Sequence, residues 1–282
     1  ALWTNRTGNA YNGTRGHDRL RGTSRLLLPH ATDAESSFNF GYEAFNTDNV
    51  VLNSSGYNSG GVGTAVQWLF RRAPGFFDVV AYTGTGSNRT VSHNLGVVPE
   101  LMIVKSRSSG PSDTSWYVYS SAMSTPATSY LNLNYASGQA AGVAILWNSA
   151  NPTSTVFPLG TYDAVNGNSY NYIAYLFASC PGVSKVGSYT GTGTTLNVDC
   201  GFTNGARFVL IKRTDSTGDW YVWDTARGII SGNDPSLLLN STAAEVTNTD
   251  YIDPYSPGFE ISSTAPAAIN ANGGSFVFFA IA

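Results

Sequence analysis

Charged side chains are scarce in this sequence. Asp, Glu, Lys and Arg make up 12% of its 282 residues, and the net charge is −3; an average soluble domain has about 25% charged residues. A protein whose main partner is nucleic acid needs clustered Lys and Arg to neutralise phosphates. The densest basic stretch, from Arg15 to Arg25, also contains Asp18. The composition therefore argues against nucleic acid as the main partner.

Long apolar runs are also missing. No run reaches the roughly 20 residues that cross a bilayer, so we expect no membrane insertion. The chain opens with Ala-Leu-Trp-Thr-Asn-Arg, which lacks the basic stretch and apolar core of a signal peptide. It also lacks an initiator Met, so we expect a processed chain or a piece of a longer polypeptide.

Cysteine is rare, because the sequence holds only Cys180 and Cys200. Two cysteines are too few for a disulfide framework. They could form one bridge, which would stabilise the fold by roughly 3 kcal/mol, or remain two partly buried thiols. The cysteines therefore leave the redox compartment open.

In place of charged residues, the sequence is rich in residue types that favour β-strands and tight turns. The sequence has 30 Gly, 6 Trp, 16 Tyr and 14 Phe. Aromatic and β-branched side chains suit pleated, half-buried surfaces, whereas Gly and Asn suit tight turns. Hydrophobic residues make up 42% of the chain, which is enough for a packed core. The composition predicts an all-β protein.

The second and third parts of the chain repeat each other. Residues 74–86 (PGFFDVVAYTGTG) match 181–193 (PGVSKVGSYTGTG), which aligns Tyr82 with Tyr189. In the same order, LMIVK (101–105) matches FVLIK, WYVY (116–119) matches WYVW, LNLN (131–134) matches LLLN, VFPL (156–159) matches GFEI, and YIAYLFA (172–178) matches FVFFAIA. Ordered matches over about 105 residues indicate duplication.

The first 75 residues resemble the later part of a third copy. HDRLRG (17–22) matches WDTARG (223–228), Ala34-Glu35 falls on Ala244-Glu245, and AVQWLFR (65–71) takes the position of the closing strand. ALWTNRT at the start corresponds to VLIKRT (209–214). The first copy lacks the YTGTG segment and the strand after it.

We therefore predict three tandem β-sandwich, jelly-roll-like repeats, at residues 1–75, 76–181 and 182–282. The linkers between them are as short as RRAPG and SCPG, which favours a stiff rod or a cluster. The missing strands of the first repeat would leave an open sheet edge, which folded proteins normally cover. Either residues upstream supply those strands, or another chain or another part of this one does so.

Candidate catalytic and metal-binding groups have simpler structural interpretations. His17, His30 and His93 align with Trp223, Ser241 and Cys200, so no ligand pattern recurs. The carboxylate pairs Asp18/Glu35 and Asp224/Glu245 could serve a glycosidase. Because they recur in two copies, we predict turns or ion pairs with Arg21 and Arg227.

Loops and motifs likewise predict no cofactor. The segments DSTGD (215–219) and DYID (250–253) faintly resemble calcium loops but do not match an EF-hand, and hairpin turns explain them. The TGTG segments lack the helix and Lys of a phosphate-binding loop. We predict no catalytic residue, no metal and no cofactor.

Aromatic residues are the remaining candidates for binding. We predict that Trp116 and Trp220 mark the core of the sandwich, since they recur. Tyr130, Tyr135 and Tyr170 are the candidates for contact with a ligand, because exposed rings beside Asn suit sugar or protein recognition.

Two stretches carry a resemblance to a known group of proteins. WTNRTGNAYNGTRGHDRLRGTSRLLLPHATDAESSFNF and AVQWLFRRAPGFFDVVAYTGTGSNRTVSHNLGVVPELMIVKSRS resemble repeated domains in virion surface proteins of tailed bacteriophages. The resemblance covers essentially the whole chain and is most specific around residues 79–107. It carries no catalytic residue over to this sequence.

The resemblance implies a virion structural protein at the virion surface or outside the cell. A tail fibre or receptor-binding appendage that contacts host glycan or protein is the first expectation. Its partners would be other virion proteins and copies of itself, in a homo-oligomer such as a trimer. The alternatives are a capsid decoration or cement protein without a host ligand, and a polysaccharide depolymerase.

Overall fold

The computed structural model describes residues 1–7, 13–39, 41–47, 49–54, 56–57 and 63–282. It is all-β, as predicted, with antiparallel sheets and helices of no more than four residues. Every sheet takes its strands from within one of the ranges 1–75, 76–181 and 182–282. No helix in the described part of the chain is long and apolar enough to cross a membrane.

The strands and helices follow the predicted repeats. The first repeat contains β1 (Leu2–Asn5), β2 (Thr14–Gly16), β3 (Arg25–Leu26), β4 (Ser36–Ser37), β5 (Tyr42–Phe45), β6 (Val50–Leu52) and β7 (Ala65–Trp68). The second contains β8 (Phe77–Thr83), β9 (Arg89–Ser92), β10 (Leu101–Ser106), β11 (Tyr117–Ser120), a 3-10 turn (Pro126–Thr128), β12 (Leu131–Asn132), α1 (Ala144–Trp147), β13 (Val156–Leu159), α2 (Asp163–Asn166) and β14 (Asn171–Phe177). The third contains β15 (Ser184–Thr190), β16 (Leu196–Asp199), β17 (Phe208–Arg213), β18 (Trp220–Asp224), β19 (Leu237–Leu238), β20 (Ile252–Tyr255), β21 (Gly258–Ile261), α3 (Ala267–Asn270) and β22 (Ser275–Ile281).

The second and third repeats have the same topology. Their larger sheets have the strand orders β12-β11-β10-β14-β8 and β19-β18-β17-β22-β15, which are equivalent strand by strand. A smaller sheet, β9-β13 or β16-β21-β20, belongs to each. In the first repeat, β2-β1-β7 corresponds to the centre of the larger sheet and the β5–β6 hairpin to β20–β21. Each complete repeat is therefore a β-sandwich.

The two YTGTG segments fold alike. The hydroxyls of Tyr82 and Tyr189 each donate to a carbonyl of the short helix, at 2.7 Å in both repeats. The last residue of that helix, Asn166 or Asn270, accepts a hydrogen bond from the backbone N–H that follows the first glycine of the segment. The second and third repeats therefore share this loop contact as well as their topology.

The glycines of these segments serve two purposes. Gly86 and Gly193 have φ values of 72° and 67°, the left-handed conformation that glycine adopts freely. Gly84 and Gly191 do not. A Cβ on Gly84 would lie 2.2 Å from a carbonyl oxygen, and one on Gly191 would lie 2.3 Å from its counterpart. The first glycine is therefore needed for close approach of two backbones.

One apolar cluster is shared by all three repeats. Its buried members come from all three repeats, most of them from the larger sheets: Leu27, Val66 and Trp68; Phe77, Val79, Leu101, Trp116, Val118, Met123, Leu131, Leu133, Ile173 and Phe177; Val186, Phe208, Leu210, Trp220, Val222, Leu237, Leu239, Val277 and Phe279. Separate clusters fill the second and third sandwiches between their two sheets, and a small one lies in the first repeat. The larger sheets thus have one face in a local core and the other in the shared core.

The repeats close into a ring. Three equivalent backbone hydrogen bonds join neighbours: Glu35 N–H to Arg107 O at 3.0 Å, Gln139 N–H to Thr214 O at 2.7 Å, and Glu245 N–H to Arg6 O at 3.0 Å. They connect the first repeat to the second, the second to the third, and the third back to the first. The arrangement is a cluster with approximate threefold symmetry.

The register of β1 differs by one residue from the sequence alignment. Leu2 pairs with Trp68, as Leu210 pairs with Phe279 and Ile103 with Tyr175. Leu2 is therefore equivalent to Leu210, where the alignment of ALWTNRT with VLIKRT placed it on Val209. The short common motif does not show which of its side chains face the core. A shift of one residue exchanges the two faces of a strand.

Two buried lysines anchor successive repeats. Lys105 and Lys212, both 0% exposed, lie near the rings of Trp116 and Trp220 at 5.9 Å. The Lys105 ammonium donates to the carbonyls of Thr32 and Thr114; that of Lys212 donates to those of Ala136 and Gly218. In each pair of carbonyls, the first belongs to the preceding repeat.

The corresponding tryptophans are buried at 2% exposure, which confirms that they belong to the core. Their indole N–H groups donate to carbonyls of the preceding repeat, Leu28 for Trp116 and Asn132 for Trp220. In the first repeat, Thr4 and Thr14 take the places of the Lys and the Trp, and their hydroxyls bond to each other at 2.8 Å. A small neutral pair thus replaces the cation and the ring together.

The buried lysines make stability depend on pH. Burial lowers the pKa of Lys105 to about 8, against nearby carboxylates that act to raise it, and burial lowers that of Lys212 to about 8 in the same way. Because the unfolded pKa is near 10.5, the cost of the buried charge is present in full below pH 8 and disappears as the pH rises to 10.5.

We therefore expect the native protein to gain stability relative to a Lys105→Met variant between pH 8 and 10.5, by at most roughly 3 kcal/mol. Urea unfolding of both proteins at a series of pH values measures this difference. The ionisation of tyrosines contributes equally to both proteins and cancels in the comparison. Parallel pH profiles for the two proteins would contradict it.

Candidate functional site

An apolar cavity of about 530 Å³ lies at the centre of the ring. Leu2, Ile103 and Leu210, which hold the same position in the three repeats, line its wall. Further walls come from the shared core: Phe77, Val79, Leu101, Trp116, Leu133, Tyr175, Phe177, Phe208, Leu239 and Phe279. Cavities of 300 to 1,000 Å³ with apolar walls are typical of binding sites.

The cavity opens within the first repeat. The lining residues that are exposed all belong to this repeat: Arg19, Asn46, Thr47, Asn49, Leu69, Arg71 and Arg72. They come from the loop after β2, the turn of the β5–β6 hairpin and the segment that follows β7. The repeat that lacks its opening strands is thus the one through which the cavity reaches the surface.

Two sheet edges of the first repeat are open where the other repeats are closed. Among the described residues, β7 pairs only with β1, whereas its counterparts β14 and β22 each pair on both sides, with β8 and β15 as the outer partners. Likewise β6 pairs only with β5, whereas β21 also pairs with β16. The structure therefore fits the sequence prediction of an edge left by missing strands.

A cluster of ionised groups joins the first and second repeats; we call it the first charged junction. Arg21, whose side chain is fully buried, bonds Asp18 at 2.5 Å and lies 3.5 Å from Glu35. From the second repeat, Arg107 makes two bonds to Glu35, at 2.9 and 3.0 Å, and the Tyr175 hydroxyl donates to Asp18 at 2.8 Å. Burial alone would raise the pKa of Asp18, but the Arg21 charge and these hydrogen bonds lower it overall.

The second charged junction repeats this arrangement between the third and first repeats. Arg227 bonds Asp224 at 2.7 Å and Glu245 at 3.1 Å. Arg6 of the first repeat bonds Glu245 at 2.6 Å, and the indole of Trp68 donates to Asp224 at 2.9 Å. The indole N–H thus makes the bond that the Tyr175 hydroxyl makes in the first charged junction.

The contact between the second and third repeats has no such charges, and we call it the neutral junction. Ser120, Met123 and Gln139 stand at the positions of the aspartate, arginine and glutamate. Thr214 and Phe279 of the third repeat replace the second arginine and the aromatic donor. Since Phe279 has no polar hydrogen, it needs no carboxylate opposite it. A neutral residue on one side of this junction therefore faces a neutral residue on the other: Gln139 faces Thr214, and Ser120 faces Phe279.

These contacts bear on the catalytic candidates. Asp18, Glu35, Asp224 and Glu245 are each bonded to arginine, so the predicted ion pairs with Arg21 and Arg227 are confirmed. A general acid at neutral pH needs a raised pKa, whereas that of Asp18 is lowered. Within the described residues, no group of three or more His, Cys, Asp or Glu side chains is placed to hold a metal ion.

The histidines occupy structural positions. His17 is 1% exposed and bonds the Tyr57 hydroxyl at 2.7 Å; burial lowers its pKa to about 3. His93 bonds the carbonyl of Thr153 at 3.1 Å. The bridge between Gly16 and Leu27 gives His30 the place of Asn240, which corrects its alignment with Ser241.

The three candidate tyrosines lie in different surroundings. Tyr130 packs on the ring of Tyr117 at 5.0 Å and supports the second core. Tyr170 lies against Gly110, where a Cβ would come within 2.3 Å of its ring. Tyr135 is 46% exposed. The described contacts do not bring the three together. By its exposure, Tyr135 is the one presented to solvent.

Both cysteines are free thiols in the structure. Cys180 is half-buried at the link between the second and third repeats, and Cys200 is buried. Burial raises the pKa of Cys200 to about 12, which keeps it protonated. A deprotonated thiol is the reactive form, so Cys200 has the character of a packing residue.

The chain belongs to the family described as Domain of unknown function (DUF7483), which matches it over residues 1–282. Neither the curated proteins nor the solved structures contain a match to this chain.

The pairing of replacements at the junctions can be tested by transplanting an ion pair. A Gln139→Glu substitution places a half-buried carboxylate near Thr214 without a cation, and it removes the amide donor that bonds Ser124 and Ser129. It should therefore lower the free energy of unfolding by about 1–3 kcal/mol. Adding Thr214→Arg should restore at least about 1 kcal/mol, because it recreates the Glu35–Arg107 pair at the neutral junction.

Urea unfolding of the two single variants and the double variant gives the coupling energy directly. As a control, Thr214→Arg combined with Glu35→Gln should show no coupling, since these residues lie at different junctions. Additive effects of Gln139→Glu and Thr214→Arg would show that the junctions are not equivalent.

Proposed function

We propose that this chain is a non-enzymatic structural protein of a tailed-bacteriophage virion, in a tail fibre or receptor-binding appendage that contacts a glycan or protein of the host surface. The observation that carries the proposal is the ring of three units around one shared apolar core. Every repeat is held by both neighbours, so its surface loops keep fixed distances from those of the others. A rigid body of this kind suits a part of a particle.

The resemblance around residues 79–107 supports the phage assignment. This segment forms most of β8 and all of β9 and β10, so the resemblance falls on the framework of the repeat. The mode of binding would be non-covalent. Three related faces carried by one chain, and more in assembled copies, would add weak contacts by avidity. Other virion proteins and further copies of this chain are the proposed partners.

The approximate threefold symmetry also favours one alternative, a decoration or cement protein of the capsid. A body with three similar faces can occupy a threefold position of a symmetric assembly, and such a position exists both along a trimeric fibre and in a capsid lattice. The two assignments differ in location on the particle.

Location can be measured directly. Antibodies against the purified chain, coupled to gold, should label the tail extremity of the virus particles whose genome encodes it, as seen by electron microscopy. Label spread over the capsid would replace the appendage assignment with the decoration alternative. Particles that carry none of this protein would overturn the virion assignment altogether.

A host contact through Tyr135 gives a second test. If this exposed ring meets the receptor, Tyr135→Ala should weaken binding of the fluorescently labelled protein to host cells by roughly tenfold, because an aromatic contact at a binding surface is worth more than 1 kcal/mol. Ile230→Ala is the matched control, since Ile230 is 55% exposed in the third repeat. Equal binding by both variants would exclude Tyr135 as a contact residue.

A further inference from the structure

We infer that the first repeat is completed by an extended polypeptide segment, which pairs with the open edge of β7 and places alternate apolar side chains in the central cavity. The segment has the pattern of the repeat's own opening strands and comes from outside residues 1–282. The inference does not depend on the virion assignment, since it concerns only this edge and this cavity.

The other two repeats show what such a segment does. The strand β8 pairs with β14 over seven residue pairs, from Phe77 opposite Phe177 to Thr83 opposite Asn171. Its inward side chains Phe77 and Val79 enter the shared core. In the third repeat, β15 pairs with β22 in the same way and contributes Val186. No described residue of the first repeat takes this place.

The open edge of β7 lies beside the central cavity. The cavity is lined by Phe70, which follows β7 in the chain, and by residues 45–47, 49 and 50 of the β5–β6 hairpin. By register, Phe70 corresponds to Phe177, the residue that stacks on Phe77 with ring centroids 4.6 Å apart. A strand beside β7 would therefore point its inward side chains at the ring of Phe70 and into the cavity.

The second open edge lies where the segment would continue. After the YTGTG loop, the chain returns as β9 or β16, which pairs with β13 or β21 of the smaller sheet. In the first repeat, β6 is the counterpart of β21, and Val51 on it is 37% exposed. One strand-loop-strand segment of about 17 residues, like residues 76–92, would cover both edges.

A second copy of this chain is a poor donor of the segment. Its β8 and β15 are each hydrogen-bonded along seven residue pairs and carry core side chains. Donating either strand would open a complete repeat to close an incomplete one, with no net gain in pairing. A segment that is not already part of a repeat has no such cost.

The test uses the full chain and a synthetic peptide with the sequence of residues 76–92. At a peptide concentration ten times the dissociation constant, amide exchange in residues 65–70 should slow by roughly tenfold, and the melting temperature should rise. A matched peptide carrying Phe77→Asp and Val79→Asp keeps the outward side chains and should have neither effect. A Leu2→Trp variant, which fills the cavity from the first repeat, should lose the response, and an Ile230→Ala variant should keep it.

Four results would overturn the inference. Exchange in residues 65–70 could be unchanged by the peptide, or the aspartate peptide could act as well as the parent sequence. The protein could also form a dimer on its own, with these amides protected without peptide, which would assign the edge to a second copy. Native mass spectrometry that finds a small apolar molecule in the cavity, with no peptide binding, would assign the cavity to that molecule.

Discussion

The fold depends on one constraint: no repeat can bury the inner face of its larger sheet alone. Its outer face is covered by the smaller sheet of the same repeat, but the inner face meets only the other two repeats in the shared core. Strands such as β10 and β14 are accordingly apolar on both faces, as strands between two layers must be. The boundaries near residues 75 and 181 therefore separate sequence units that share one core.

Around this core, the three junctions solve the same packing problem with different chemistry. At the two charged junctions, Tyr175 or Trp68 donates a hydrogen bond to an aspartate, which also pairs with an arginine. At the neutral junction, Phe279 has no donor, and Ser120 and Met123 replace the aspartate and the arginine. The Lys–Trp pairs and the Thr4–Thr14 pair follow the same rule. A buried charge is costly without its partner, so each of these positions holds either both members of a pair or neither.

The sequence predicted the all-β class, the copied unit and the open edge, because each follows from a local pattern such as the YTGTG segment with Tyr82 and Tyr189. It did not predict ring closure or the cavity, which depend on contacts between residues as distant as Arg6 and Glu245. The register of β1 was off by one, since its short motif does not fix which side chains face the core. The matched differences at Ser120 and Phe279 were visible in the sequence, but their meaning required knowing that these residues lie opposite each other.

Ring closure is tested most directly by distances between equivalent sites. Asp33, Ser137 and Ala243 are exposed counterparts in the three repeats, and spin labels can be attached there in pairs after Cys180→Ser and Cys200→Ala substitutions. Pulsed electron paramagnetic resonance should give three nearly equal distances, because the third repeat returns to the first. A distance between sites 33 and 243 about twice the other two would indicate a linear rod and contradict the shared core.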